Sequence, residues 1–421
     1  MSNFSKLERG AARFLARFPL VKNVAKYAYS RLAYLKSKKP YRYRSFAVPR
    51  CCFVGGESSF FGYYDKSPAS SSGNWMVYST AFSTKELPRP GEPVSLMVFL
   101  RNSDKPSFGI DVRAYNWQQG ARAHWLDDDL FIFNDFDYYL NSYVARVYSC
   151  AEKKELKRFR LPVQDSFGTD FFLSINYRRL LSLRPDYGYR NLPPLTDGEL
   201  RSLDEDGIWF VDFETGSYKL LTSLSQACDL KPAAEFDLSL HKINHVMISP
   251  SGEKYIFIHR YLNKGRRFDR LVLGDIKTGE LQLISDYGMV SHCFWVDDDT
   301  VIGYMRGPGY KDGYWVVDIC EKIFSRFADG VLDKYGDGHP HVVGDWFVTD
   351  TYPDKARMQH LLLCNWKTGE VRKLGEFFHG FEYDGETRCD LHPRLSPDGK
   401  TVFFDSVFSG KRQLYSMELP T

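Results

Sequence analysis

The feature that most constrains the fold is a turn that recurs along the chain. "ETGSYKLL" (214–221), "KTGELQLI" (277–284) and "KTGEVRKL" (367–374) each place a Thr-Gly pair between two strand-like runs. "SPSGEKYIFI" at Ser249 matches "SPDGKTVFFD" at Ser396, and "HWLDDDLFIF" at His124 resembles "FWVDDDTVIGY" at Phe294. The separations, about 60, 90, 150 and 170 residues, suit multiples of a unit of roughly 40–50, the length of a four-stranded propeller blade. Further runs such as "NWMVYSTAF", "VSLMVFLRN" and "YWVVDI" read as strands bounded by Gly, Asp, Asn and Ser turns. About 375 residues follow a basic head, enough for seven blades with insertions. The chain is therefore expected to be all-β: a β-propeller of seven blades over residues 45–421. A pair of β-sandwiches is the alternative, and the recurring turn argues against it.

Residues 1–44 have a different texture. They carry 12 Lys and Arg against one acid, Glu8, while the whole chain has a net charge of only +3. Phe4, Leu7, Ala11, Phe14, Leu15 and Phe18 recur at helical spacing, Pro19 interrupts, and Val21, Val24, Ala25, Ala28, Leu32 and Leu35 resume it. This predicts a basic amphipathic helical head. Such a segment either lies on an anionic membrane surface or packs on the body with its charges solvated.

Several classes are excluded by what the sequence lacks. No apolar run reaches the roughly 20 residues of a spanning helix, and basic residues interrupt every candidate signal-peptide core. Eight cysteines without a CxxC pair do not form a disulfide framework. The expected location is cytoplasmic, either free of membranes or peripheral on the inner face of one through the head. There is no P-loop, no strand-linked GxGxxG and no GxSxG elbow. No nucleic-acid fold signature follows the basic head, so no nucleic-acid partner is expected.

Candidate chemistry concentrates in two groups. The first is histidine. In "YGDGHPHVVGDWFVTD" (335–350), His339 and His341 are one residue apart, which on a strand would turn both imidazoles to one face. His292 in "SHCFW" supplies a third imidazole from a neighbouring blade, and three imidazoles suit a divalent transition metal. "HKINHVMISP" adds His241 and His245, "FIHRY" adds His259 and Arg260, and "CDLHPRLSPDG" adds Asp390, His392 and Arg394. His360 and His379 read as structural. The second group mixes aromatic and basic residues at strand ends. Arg122, Arg178, Arg184 and Arg394 suit carboxylate or phosphate recognition. Tyr64, Tyr187 and Tyr189 suit stacking on a sugar ring. Aromatics make up 16% of the chain, in keeping with an oligo- or polysaccharide ligand.

On "NHVMISPSGEKYIFIHR", "SHCFW", "GHPHV" and "HPRLSPDGKTVFFDS", the chain from about His241 onward resembles the oligogalacturonate lyase family. The first half is less similar, although "SINYRRLLSLRPDYGY" would sit in a similar blade. The resemblance implies a seven-bladed propeller that cleaves uronate-containing oligosaccharides by β-elimination. It also implies a divalent metal, typically manganese (Mn2+), on His292, His339 and His341, with His245 abstracting the proton. The family's glutamine three residues before its His-x-His pair is replaced here by Gly336, with Asp337 alongside. In that chemistry the uronate carboxylate must be neutralised, and Arg184 or Arg260 would assist the metal. Two other functions are open: a membrane-associated glycosyltransferase or tailoring enzyme of surface-polysaccharide biosynthesis, and a non-catalytic propeller that binds glycan or protein.

Overall fold

The recurring turn occupies the same place in each sheet that carries it. The computed structural model describes residues 19–420 apart from 54, 101, 102 and 104, with side chains from Tyr27 onward. Thr215-Gly216, Thr278-Gly279 and Thr368-Gly369 each join the third and fourth strands of a four-stranded antiparallel unit. In each, a side-chain oxygen of the last strand residue accepts the N–H of the threonine, Asp212 at 2.7 Å, Asp275 at 2.7 Å and Asn365 at 2.9 Å. The glycine that follows takes a φ of +70° to +78°, a region costly for any residue with a Cβ. The Ser-Pro turns at Ser249 and Ser396 join first to second strands, and the serine hydroxyl accepts the N–H of Lys254 and of Thr401.

Seven such sheets follow one another. Blade 1 is Ser58–Phe60, Trp75–Ala81, Val94–Leu100 and Phe108–Val112. Blade 2 starts at His124–Trp125, blade 3 at Asp165–Phe167, blade 4 at Leu240–Ile248, blade 5 at Val290–Trp295, and blade 6 at His341–Val343. Blade 7 is Arg394–Leu395, Thr401–Ser406 and Gln413–Glu418, completed by Arg50–Cys51. The first strands of blades 3 to 7 lie one against the next and form the inner ring. The fold is a seven-bladed β-propeller, as the repeat implies.

Both faces of the middle strands are buried, so they read as continuous apolar runs. In Thr401–Ser406, Val402 and Phe404 pack with Val348 and Leu361 of blade 6, while Phe403 packs with Phe60 and Val77 of blade 1. The ring closes between these two neighbours. Arg50 pairs with Ser416 and Cys51 with Tyr415, so a strand preceding blade 1 finishes blade 7. Asp405 of blade 7 accepts the N–H of Phe61 and Gly62 of blade 1 at 3.1 and 3.2 Å, and bonds Arg394 at 2.7 Å.

The head meets the body on blade 6. Its second helical stretch is a helix, Pro19–Ser37; the first, residues 4–18, lies outside the described residues. Tyr34 packs on Phe378 and Phe381, and Arg31 stacks on Phe381. Tyr43–Ser45 pairs with Val371–Phe378 as a fifth strand of blade 6, so the change of texture near residue 44 falls inside a strand. Among the described residues no helix is long and apolar enough to cross a membrane.

Asp405→Ala would leave the Arg394 guanidinium buried without its counter-ion and would orphan two backbone N–H groups. The expected loss is about 3–5 kcal/mol in denaturant unfolding. A loss below about 1 kcal/mol would show that closure does not rest on this carboxylate.

Candidate active site

Two His-Pro pairs stand at corresponding places in successive blades. His339-Pro340 precedes the first strand of blade 6, and His392-Pro393 precedes that of blade 7. One buried carboxylate organises both. Asp350, at the end of Trp346–Asp350, accepts the N–H of His339 at 2.9 Å and of His392 at 3.0 Å. It also takes Nδ1 of His339 at 2.8 Å. Nδ1 of His392 lies 2.9 Å from the carbonyl of Gly62 in blade 1. A carbonyl accepts only, so Nδ1 of His392 carries its proton and Nε2 its lone pair. Nε2 of His339 and of His392 are both buried without a hydrogen-bond partner. The rings are 4.3 Å apart, and one donor atom from each of His339, His392 and Asp390 falls within 4.8 Å of the others. Two nitrogens free of hydrogen-bond partners and a carboxylate, with the rings backed by a carboxylate and a carbonyl, are a donor set that fits a divalent metal once His339 gives up its proton.

Further imidazoles border this trio. The His292 ring is 4.1 Å from that of His339. Its Nδ1 is 3.3 Å from Asp337, which also accepts a 2.6 Å bond from the Ser291 hydroxyl. Gly338 lets the loop pass Asp350, because a Cβ there would collide with the Asp350 carbonyl oxygen. His245 sits in an irregularity of the first strand of blade 4, with φ at +54°. Strained backbone of this kind re-aims a side chain. The Tyr63 hydroxyl lies 2.8 Å from Nδ1 of His245 and 3.0 Å from Nε2.

A chain of ion pairs leads outward from Asp390. Arg388 donates to Asp390 at 2.7 Å and to Asp186 at 3.1 Å, and Arg184 donates to Asp186 at 3.1 Å. The Arg184 guanidinium lies 4.2 Å from the centre of the Tyr187 ring, and the Tyr187 hydroxyl is 3.4 Å from that of Tyr63. Lys242 is buried nearby, its ammonium on the carbonyl of Leu183 at 3.2 Å.

The electrostatics follow from burial. Desolvation holds His245 well below the ordinary imidazole range, and the neighbouring His292 adds to it. The same cause lowers His292 and His392, with His339 as the next contributor to each. For His339 burial opposes the charge, but the Asp350 carboxylate outweighs it and raises the group. Burial also favours neutral Asp390, and the Arg388 guanidinium reverses this, leaving the carboxyl below its usual range. Lys242 is pushed well below the usual lysine range by burial, then by Arg260 and Arg184.

The residues singled out from sequence separate into two sets. His245, His292, His339, Arg184 and Tyr187 come together around the inner ring. His341 stands apart from the metal trio expected for it. The strand begins only at His341, since His339 is held outside it by Asp350, so strand alternation does not govern the pair. Nδ1 of His341 lies 2.7 Å from the carbonyl of Tyr64, and its ring packs on Phe294. Thus His292, His339 and His341 do not form a common donor set among the described residues. The other expected ligand-binding groups are engaged in the framework. Tyr64 donates to the carbonyl of Cys293, and Tyr189 stacks on Tyr177 and bonds Asn134. Arg122 forms a buried pair with Asp65, Arg394 with Asp405, and Arg260 with Asp269. Arg178 pairs with Glu199 at the surface. Sequence reasoning left Asp350, Tyr63 and Arg388 out and did not count Asp390 and His392 as ligands. The shared His-Pro step of "GHPHV" and "LHPRL" was the available signal for His392.

No protein-family model and no curated protein sequence matches this chain. Solved structures do. An oligogalacturonate lyase in complex with manganese superposes with a TM-score of 0.59 at 16% identity, over 89% of this chain and 94% of that one. The oligogalacturonate lyase from Vibrio parahaemolyticus gives 0.58 at 13%, over 90% and 97%. The likeness is one of fold. What is shared is the β-propeller architecture. An acylaminoacyl peptidase from Pyrococcus horikoshii also superposes, with a TM-score of 0.52 at 12% identity, over 88% of this chain and 53% of that one. The architecture therefore does not select the chemistry.

Eight of the ten histidines have lowered pKa values, each chiefly through burial. His341 is lowered to about 4 and His379 to about 3. Below pH 6.5 the unfolded chain takes up protons at these sites that the folded chain refuses. Stability is full above that pH and is lost on acidification, at about 1.4 kcal/mol per pH unit for each group until its folded value is reached. His339, which is raised, works in the opposite direction. The unfolding midpoint should fall steeply between pH 7 and 5, and a flat profile over that interval would contradict this burial.

Proposed function

We propose that this propeller is a metal-assisted lyase that cleaves uronate-containing oligo- or polysaccharides by β-elimination. The observation that carries the reading is the convergence of His339, His392 and Asp390 beside a buried neutral imidazole, His245. Manganese is the metal proposed, bound by these three residues with His292 adjacent. When bound, such an ion neutralises a uronate carboxylate and so acidifies the proton on the neighbouring carbon.

The chain's own groups supply the rest. Arg184 and Arg388 border the same space and suit the carboxylate or ring hydroxyls of the sugar. His245 is uncharged and so has a lone pair for the C5 proton. The C5–H pair forms the C4=C5 double bond as the C4–O bond breaks, and the leaving oxygen takes up a proton. The Tyr63 hydroxyl, hydrogen-bonded to His245, is the proposed source of that proton and recovers one from the imidazole. Burial is the main cause of the low His245 pKa, and an arriving carboxylate offsets the smaller contribution of charged neighbours such as Arg260, shifting the group upward.

A second reading draws on the head. Its 12 basic residues, with Tyr27, Leu32 and Leu35 exposed on the helix, favour an enzyme of surface-polysaccharide assembly held against anionic lipid on the cytoplasmic side. Removing residues 1–37 keeps the strand Tyr43–Ser45 but takes away the Tyr34 and Arg31 contacts with Phe378 and Phe381. On this reading the truncated protein no longer sediments with phosphatidylglycerol vesicles, and equal sedimentation would dismiss it.

The lyase reading predicts a 4,5-unsaturated uronate product, detected by ultraviolet absorbance, when the manganese-loaded protein meets a uronate oligosaccharide. His245→Ala should lower kcat at least about 100-fold. Asp350→Asn should weaken metal affinity about 10- to 100-fold by releasing His339. No unsaturated product on a panel of uronate glycans would end the proposal.

A further inference from the structure

A second set of metal-type donors lies between blade 4 and the excursion that leads into it. Cys228 comes from the short helix Leu224–Asp229, His241 from the first strand of blade 4, and His259 from the second, Lys254–Asn263. All three are buried. Cys228 Sγ is 3.4 Å from Nδ1 of His241 and 3.9 Å from Nε2 of His259, and the two nitrogens are 3.0 Å apart. Tetrahedral zinc, with bonds of about 2.3 Å to sulfur and about 2.05 Å to nitrogen, separates such donors by about 3.6 Å and about 3.3 Å. Each side of the triangle is within about 0.3 Å of that requirement.

Hydrogen bonding alone does not account for the cluster. Nε2 of His241 lies 3.1 Å from the carbonyl of Phe236 and must donate to it, so Nδ1 holds a lone pair. The Cys228 thiol and the N–H of His259 then compete for one acceptor. A cation at the centre engages all three groups at once, and the Phe236 carbonyl fixes the His241 tautomer as the backing groups of metal-bound histidines do. Nδ1 of His259 is without a partner in either case. The charge states also suit a ligand set. Burial keeps both imidazoles neutral and pushes the Cys228 thiol up to about 12, so binding displaces a proton chiefly from sulfur. One thiolate and two imidazoles favour zinc over manganese or magnesium.

We infer that Cys228, His241 and His259 form a zinc site with three protein ligands and a fourth position for water or a small anion. Cys228 and Phe236 also line a surface cavity of about 390 Å³, with Asp229 and Asp237 in its wall. The site clamps residues 224–239 onto blade 4 and shares no residue with the His339–His392–Asp390 cluster.

The test uses the full chain carrying His339→Ala and His392→Ala, so that the inner-ring cluster contributes no metal. One equivalent of zinc should survive dialysis, and its X-ray absorption should show one sulfur neighbour. Cobalt replacing it should give tetrahedral visible bands and a thiolate charge-transfer band. Cys228→Ser should abolish the charge-transfer band and weaken zinc binding at least 10-fold. Zinc with nitrogen and oxygen neighbours only, or a charge-transfer band that persists in Cys228→Ser, overturns the assignment. If that variant does not fold, the sulfur neighbour and charge-transfer band in the Cys228-containing protein decide it: their absence overturns the site, and their loss in His259→Gln supports it.

Discussion

The carboxylate of Asp350 is the point on which the candidate site depends. It is buried, and each of its oxygens holds a backbone N–H from a different blade. The bond to Nδ1 of His339 then orients an imidazole as well as a loop. A single residue thus sets the spacing of His339 and His392, leaving both Nε2 atoms directed away from their anchors. Asp405 repeats the device one blade later, with Phe61 and Gly62 as its backbone partners. In blade 7 the charge is spent on Arg394, whereas in blade 6 it is given to a histidine. The same stitch is structural in one place and available for chemistry in the other.

The architecture was readable because turn chemistry is local. Thr-Gly after Asp or Asn, and Ser-Pro before a Gly, set hairpins whatever surrounds them, so the repeat survives divergence of the strands between. The site was less legible because its geometry is made by contacts across blades. Nothing in the order of residues says that Asp350 reaches His392, or that the Gly62 carbonyl fixes that ring. His339 and His341 look alike in sequence, yet the strand starts between them and separates their roles. Arg122, Arg260 and Arg394 look like ligand-binding residues until their aspartates, brought from another strand or blade, are seen to occupy them.

The likeness to oligogalacturonate lyases and to a peptidase propeller places the weight of any functional reading on side chains rather than on blades. Here the relevant contrast is between histidines that are satisfied and histidines that are not. His124 bonds the carbonyl of Arg122 and the hydroxyl of Ser166, filling both nitrogens. His339 and His392 are filled on one side only. That asymmetry distinguishes a donor set from a packed core.

The closure of the ring has a consequence for how the protein is made. Ser59 and Gln413 are partners across the seam although they are 354 positions apart in the chain. While the chain emerges from the ribosome, the segment at Arg50–Cys51 has no strand to join until Gln413–Glu418 has been synthesised. For most of translation the first blade stands with one flank uncovered, and non-local pairing of this kind is slow to form. The ring is therefore incomplete, with open sheet edges, for nearly the whole time of synthesis, and an open edge is a template for pairing with another chain.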